Sequence, residues 1–185
     1  MQFNDHSKIR GQHAFLSPSS YHWLNYDEEK LISVYRNFKA KERGTRLHNV
    51  AEELINLGIK LPRTKQTMQM YVNDAIGYKL QPEVGLYYTE NCFGTADALE
   101  FRHNFLRIAD LKTGVTKASM DQLLIYMALF CLEYGYDPHS IDAELRIYQN
   151  DEIEIKEPEI DEIMPVIDKI IASDKIINKL NAEEE

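Results

Sequence analysis

The sequence predicts an α/β fold, a mixed sheet of about four strands flanked by helices on both faces. Three observations predict it. Strand-like runs cluster between residues 84 and 111, separated by short turn-like spacers. A helix apolar nearly all round follows at 119–134, as expected of a helix buried against a sheet. A further β-branched and aromatic run at 143–149 then completes a strand–helix–strand unit, which pairs in parallel through a right-handed crossover.

Taken in order, residues 1–16 are polar with scattered apolar positions and read as a loose lead-in. Ser17-Pro18-Ser19-Ser20 reads as a helix start, with serine caps and an early proline. That helix carries Tyr21, Trp23, Leu24, Leu31, Ile32, Tyr35 and Phe38, with a break at Asn25-Tyr26-Asp27. Gly44-Thr45 opens a second helix, on which Leu47, Val50, Ala51 and Leu54 follow helical spacing and Gly58 is the stop. A third helix covers 64–80, and Pro82 ends it. Strands follow at 84–90, 93–101 and 105–111, an antiparallel meander turning at Glu90-Asn91 and at Arg102-His103-Asn104. Gly135 stops the apolar helix. An amphipathic helix at 158–171 is kinked or restarted at Pro165, Ser173 caps a last turn or two, and a charged end follows.

The 185 residues fit one domain, with a core over 16–150 and an acidic helical region over 151–185. No apolar run approaches the ~18 residues of a membrane span, so no membrane association is expected. The polar start, with Asp5, gives no signal-peptide pattern. Cys92 and Cys131 sit far apart in apolar surroundings, which suits buried thiols of a reducing, intracellular (cytoplasmic) setting. The net charge of −9 argues against a strongly basic nucleic-acid footprint. The acidity is concentrated, however. Residues 151–185 hold 12 of the 30 acids and only 4 of the 21 bases, so the first 150 are nearly neutral. Contact with DNA would then depend on a local patch, bound metal ions or a partner protein.

The chemistry-bearing residues gather around Ile108-Ala109-Asp110-Leu111-Lys112-Thr113-Gly114. Side chains alternate along a strand, so Asp110 and Lys112 project from one face at its end. Asp97 sits among small and apolar neighbours on the preceding strand, where a lone acid is costly unless it is paired or binds metal. Two such acids on adjacent strands can converge on one hard cation such as magnesium, with the carbonyl of Leu111 as a further ligand. Lys112 would then assist a water attacking phosphorus or offset the phosphate's charge. Each residue also has a plain structural reading. His48 suits a satisfied core histidine, Ser119-x-x-Gln122 a capping box, and Tyr126 a core aromatic.

The series Gly44-Thr45-x-x-His48, Gly94-x-x-Asp97, Asp110-Leu111-Lys112-Thr113-Gly114 and Gln122-x-x-x-Tyr126 resembles the RecB-type branch of the PD-(D/E)XK nucleases, over roughly residues 17–149. The resemblance implies a restriction-endonuclease-like core. It also implies His48, Asp97, Asp110 and Leu111 as ligands of Mg2+ or Mn2+, with Asp97, Asp110 and Lys112 catalytic. Gln122 and Tyr126 would position the lysine and the DNA strand. The implied function is a metal-dependent DNA exonuclease acting in end processing or recombination, of a size that suits a phage or mobile-element protein. Some members carry a four-cysteine iron–sulfur cluster. Here Asn25-Tyr26 stands where a Cys-Pro often follows the first helix, and two cysteines cannot make that site, so no iron–sulfur cluster is expected. The alternative is a nuclease fold that no longer cuts and binds DNA or a protein. The acidic C-terminal region suits a protein partner, and homo-oligomer formation is left open.

Overall fold

The computed structural model describes residues 14–184. They fall into two compact units, divided between Thr45 and Arg46. Of the expected lead-in, only residues 14–16 lie among the described residues.

In the smaller unit a 3-10 segment, Pro18–Asn25, stands where a regular helix was expected. Its serines do not cap it through their side chains. Instead Trp23 Nε1 donates to the Ser17 carbonyl at 3.0 Å. The break at Asn25-Tyr26-Asp27 is present, and Asp27 Oδ1 accepts from the Lys30 amide at 2.8 Å, capping the next helix. That helix, α1 (Glu28–Leu57), runs without interruption through Gly44, where a new start was expected. A glycine inside a helix costs only about 1 kcal/mol. Thr45 Oγ1 bonds back to the Lys41 carbonyl, so Thr45 continues the helix instead of opening one.

The larger unit takes residues 46–57 of α1 and everything after them. α2 (Thr67–Tyr78) ends with Lys79 in the left-handed region. Next come β1 (Gln81–Thr89), β2 (Cys92–Arg102) and β3 (Phe105–Leu111), then α3 (Asp121–Tyr134), β4 (Asp142–Gln149), β5 (Glu152–Lys156) and α4 (Ile160–Glu184). The five strands form one mixed sheet in sequential order. β3 and β4 pair in parallel across the α3 crossover, and every other neighbouring pair is antiparallel.

Four departures from the sequence reading have local causes. Pro82 lies inside β1, which is an edge strand where a missing N–H is tolerated. β5 is a fifth strand at the start of the acidic region. Asn150 and Asp151, both at positive φ, make the tight turn that folds it back onto β4. α4 passes through Pro165 and Ser173 in one piece. The proline lacks only its bond to the Asp161 carbonyl, and Ile163 and Ile167 stay buried on either side. Ser119 and Gln122 form no capping box, because the residue before α3 is Met120 and makes no side-chain cap.

Two apolar clusters lie on opposite faces of the sheet. Leu106, Ile108, Leu145 and Ile147 pack with α3 and α4. Ala98, Ala109, Leu111 and Tyr148 pack with α2 and with Ala51 and Ile55 of α1. β3 alternates between the two faces residue by residue, as a strand covered on both sides must. Cys131 is buried, Cys92 half-buried, and both are free thiols. No helix among the described residues is long and apolar enough to cross a membrane.

Candidate metal centre

The site forms where β2 and β3 part. Their ladder runs from Arg102↔Phe105 to Ala98↔Ala109, so Asp97 and Asp110 are the first residues beyond its last rung. Asp97 bridges the opening: its Oδ2 accepts from the Leu111 amide at 2.8 Å. The same oxygen lies 3.3 Å from His48 Nδ1 on α1. Glu83 of β1 completes this cluster. One ligand atom from each of His48, Glu83 and Asp97 lies within 4.8 Å of the others.

Glu83 was not among the residues expected from sequence. Starting the strand at Val84 placed it in a linker after a helix ended by Pro82. The hairpin register would have found it, since Pro82↔Ala98 and Val84↔Ala96 put Glu83 opposite Asp97. Its φ of +51° is a conformation that non-glycine residues rarely hold, and such strain collects at functional sites.

Asp110 stands outside that triad. It is 2% exposed and its carboxylate turns to Lys112, whose Nζ donates to Oδ1 at 3.1 Å. Oδ2 is within ion-pair distance of the same ammonium, 3.0 Å, yet lacks hydrogen-bond geometry to any partner. Lys112 Nζ also donates to Gln122 Oε1 at 2.7 Å. Gln122 Nε2 donates to Tyr126 Oη, which donates to the Thr95 carbonyl at 2.6 Å. This relay returns to β2 and explains two sequence features. Gln122 is committed to Lys112 and not to a helix cap. A Cβ at position 94 would stand 3.1 Å from the Tyr126 ring, so the glycine leaves the ring room. Leu111 buries its side chain in the α2-side core while its amide holds Asp97.

The acids set the electrostatics. The hydrogen bond to Asp97 raises the His48 pKa against the effect of burial, with help from the charges of Asp97, Asp110 and Glu83. Burial, then the charges of Asp97 and Glu52, raise Glu83. Burial, then the Asp97 charge, raise Asp110 despite Lys112. Burial also raises the Tyr71 phenol, and the same three acids add to it. Each of these groups sits in a field short of positive charge. An imidazole, two converging carboxylates and a buried carboxylate oxygen without a hydrogen bond are a donor set that fits a hard divalent cation.

No protein-family model matches the chain, and no curated protein matches its sequence.

Proposed function

We propose that the chain is a metal-dependent DNA nuclease of the RecB-type PD-(D/E)XK kind, with a restriction-endonuclease-like core. The observation that carries this reading is the convergence of His48, Glu83 and Asp97 within 4.8 Å, beside a buried Asp110 held by Lys112.

The residues that would hold Mg2+ or Mn2+ are His48, Glu83 and Asp97, with Asp110 and the Leu111 carbonyl as the further ligands the resemblance implies. A bound divalent cation supplies Lewis acidity, making water a better nucleophile and offsetting charge on the phosphate. The chain supplies the positioning. The Leu111 amide and His48 hold Asp97 in orientation. Asp110 and Gln122 fix the Lys112 ammonium from two sides. Preorganised in this way, it can meet the water or a non-bridging phosphate oxygen without reorganising in the transition state. Water oxygen adds to phosphorus, one P–O ester bond breaks, and a proton passes to the departing sugar oxygen. The products are a hydroxyl and a phosphate monoester.

A time course on end-labelled single- and double-stranded DNA tests the reading. Release of label should require Mg2+ or Mn2+ and stop on chelation. Intact DNA under both metals would overturn it.

A further inference from the structure

Past Glu83 and Asp97 the hairpin continues as an exposed shelf. The ladder runs on through Gly85↔Thr95 and Tyr87↔Phe93. Alternation puts residues 85 and 87 of β1 and 93 and 95 of β2 on one face, while Leu86 and Ala96 point into the core behind it. The shelf ends at Glu83 and Asp97, where the positive φ of Glu83 breaks the alternation. Gly85 and Thr95 form a low floor beside the acids, and nothing lies within 4 Å of where a Gly85 side chain would stand. Beyond that floor the Tyr87 and Phe93 rings stack, with centroids 6.2 Å apart and planes at 26°. They are 48% and 68% exposed. At ~3.3 Å per residue, this pair stands ~13 Å along the strands from the acids.

Isolated exposed hydrophobics are unremarkable. Two stacked rings aligned with a candidate site on the same strands are a more specific feature. β1 is an edge strand, but it is poorly suited to pairing with a second copy. Glu133 Oε2 accepts from the Tyr87 amide at 2.7 Å, and Pro82 has no N–H. The positive φ of Glu83 and a register shift between Tyr87 and Thr89 distort the rest. The shelf face carries no lysine or arginine, so phosphate pairing is not what it offers. It offers ring faces. Unpaired bases stack on aromatic side chains with little regard to sequence, whereas a duplex keeps its base faces covered.

We infer that Tyr87 and Phe93 form a stacking subsite for the bases of single-stranded DNA whose phosphodiester lies at the acids. The inference rests on the nuclease reading and extends it to a substrate class.

The test uses the full chain and single-stranded oligonucleotides carrying 2-aminopurine, with calcium replacing magnesium for binding. Tyr87→Ala/Phe93→Ala should raise Kd and KM for single strands by about 10-fold and lose the 2-aminopurine quench. The turnover number, the thermal midpoint and the salt dependence of binding should stay as in the wild type. Phe93→Trp should retain binding. Unchanged Kd and KM in the folded double variant would overturn the subsite. So would a wild-type oligomer that the double substitution dissolves. If the wild type binds single strands without cutting them, and the double variant loses that binding, the subsite stands and the hydrolase reading falls. If the wild type cuts and the double variant cuts single strands with the same KM, the subsite alone falls.

Discussion

β3 carries a charged cluster at each end, and the two are balanced differently. At its start, the Arg107 and Arg146 Nε atoms each lie 2.6 Å from Glu144 Oε1. Arg146 also reaches Asp74, which accepts from Tyr148 Oη at 2.8 Å. Both guanidinium groups lie over the Tyr78 ring. Two cations meet two anions there. At the other end Glu83, Asp97 and Asp110 share Lys112 and a titratable His48, and one buried oxygen has no hydrogen bond. The carboxylates respond in opposite directions. Burial pushes Glu144 upward, but hydrogen bonds from Arg146 and Arg107 more than reverse it and leave it below the ordinary range. Burial and the Asp97 charge leave Asp110 above it. Buried charge alone therefore does not mark a site. Carboxylates short of positive charge are the ones for which we propose a bound cation, since such charge is costly unless it is paired or ligates metal.

The largest expected effect separates the two ends by function. Lys112→Ala should lower the DNA cleavage rate by about 10²–10³-fold, the range for losing one preorganised group that stabilises transition-state charge. Its melting temperature should fall as well, because the buried Asp110 carboxylate loses its counter-ion, so the rates are compared below the variant's midpoint. Cleavage at the wild-type rate would remove Lys112 from the mechanism. At the balanced end the same logic predicts lost stability. Glu144→Gln leaves two arginines without their shared anion and should destabilise by about 3 kcal/mol at neutral pH. Because the native pKa of Glu144 is lowered, its contribution is fully present above the ordinary value of 4.5. It is lost as pH falls through the native value, so the gap between wild type and variant should close in acid. Urea melts at pH 7 and below pH 4 check this, and a gap constant across that range would contradict it.

The sequence revealed the balanced scaffold and the deficient site unequally. The β2–β3 hairpin, the all-apolar α3 and the parallel β3–β4 crossover were legible because burial on both faces leaves continuous apolar runs that polar turns bound. β5 was not, since Glu152, Glu154 and Lys156 alternate with two isoleucines and read as part of an acidic tail. Glu83 escaped because only the register of the folded hairpin sets it opposite Asp97. Gln122 fitted a capping box and a site residue equally well, and its partner ten residues upstream, Lys112, decides between them. Arg146 and Asp74 lie far apart in sequence, and nothing local announces their pairing.

The smallest expected effect sharpens the contrast most, because its sign reverses with metal. Asp110 is buried beside Asp97, and its charged form is disfavoured even with Lys112 in contact. Removing that charge should therefore stabilise the metal-free protein. Asp110→Asn should do so by on the order of 1 kcal/mol near pH 7, as expected where a site is kept at some cost to stability. The raised pKa sets the pH window: the advantage is present at neutral pH and fades in acid, where the native carboxyl takes up its own proton. Metal should reverse the order. At about 100 times its Kd, a ligand that binds only the folded state stabilises by about 2.7 kcal/mol. Saturating Mn2+ should thus raise the wild-type melting temperature well above that of Asp110→Asn, which gains little if Asp110 is a ligand. Calorimetric melts with and without Mn2+ measure both halves. An equal Mn2+ shift in the two proteins would leave Asp110 as the anchor of Lys112 alone, with cation binding confined to His48, Glu83 and Asp97.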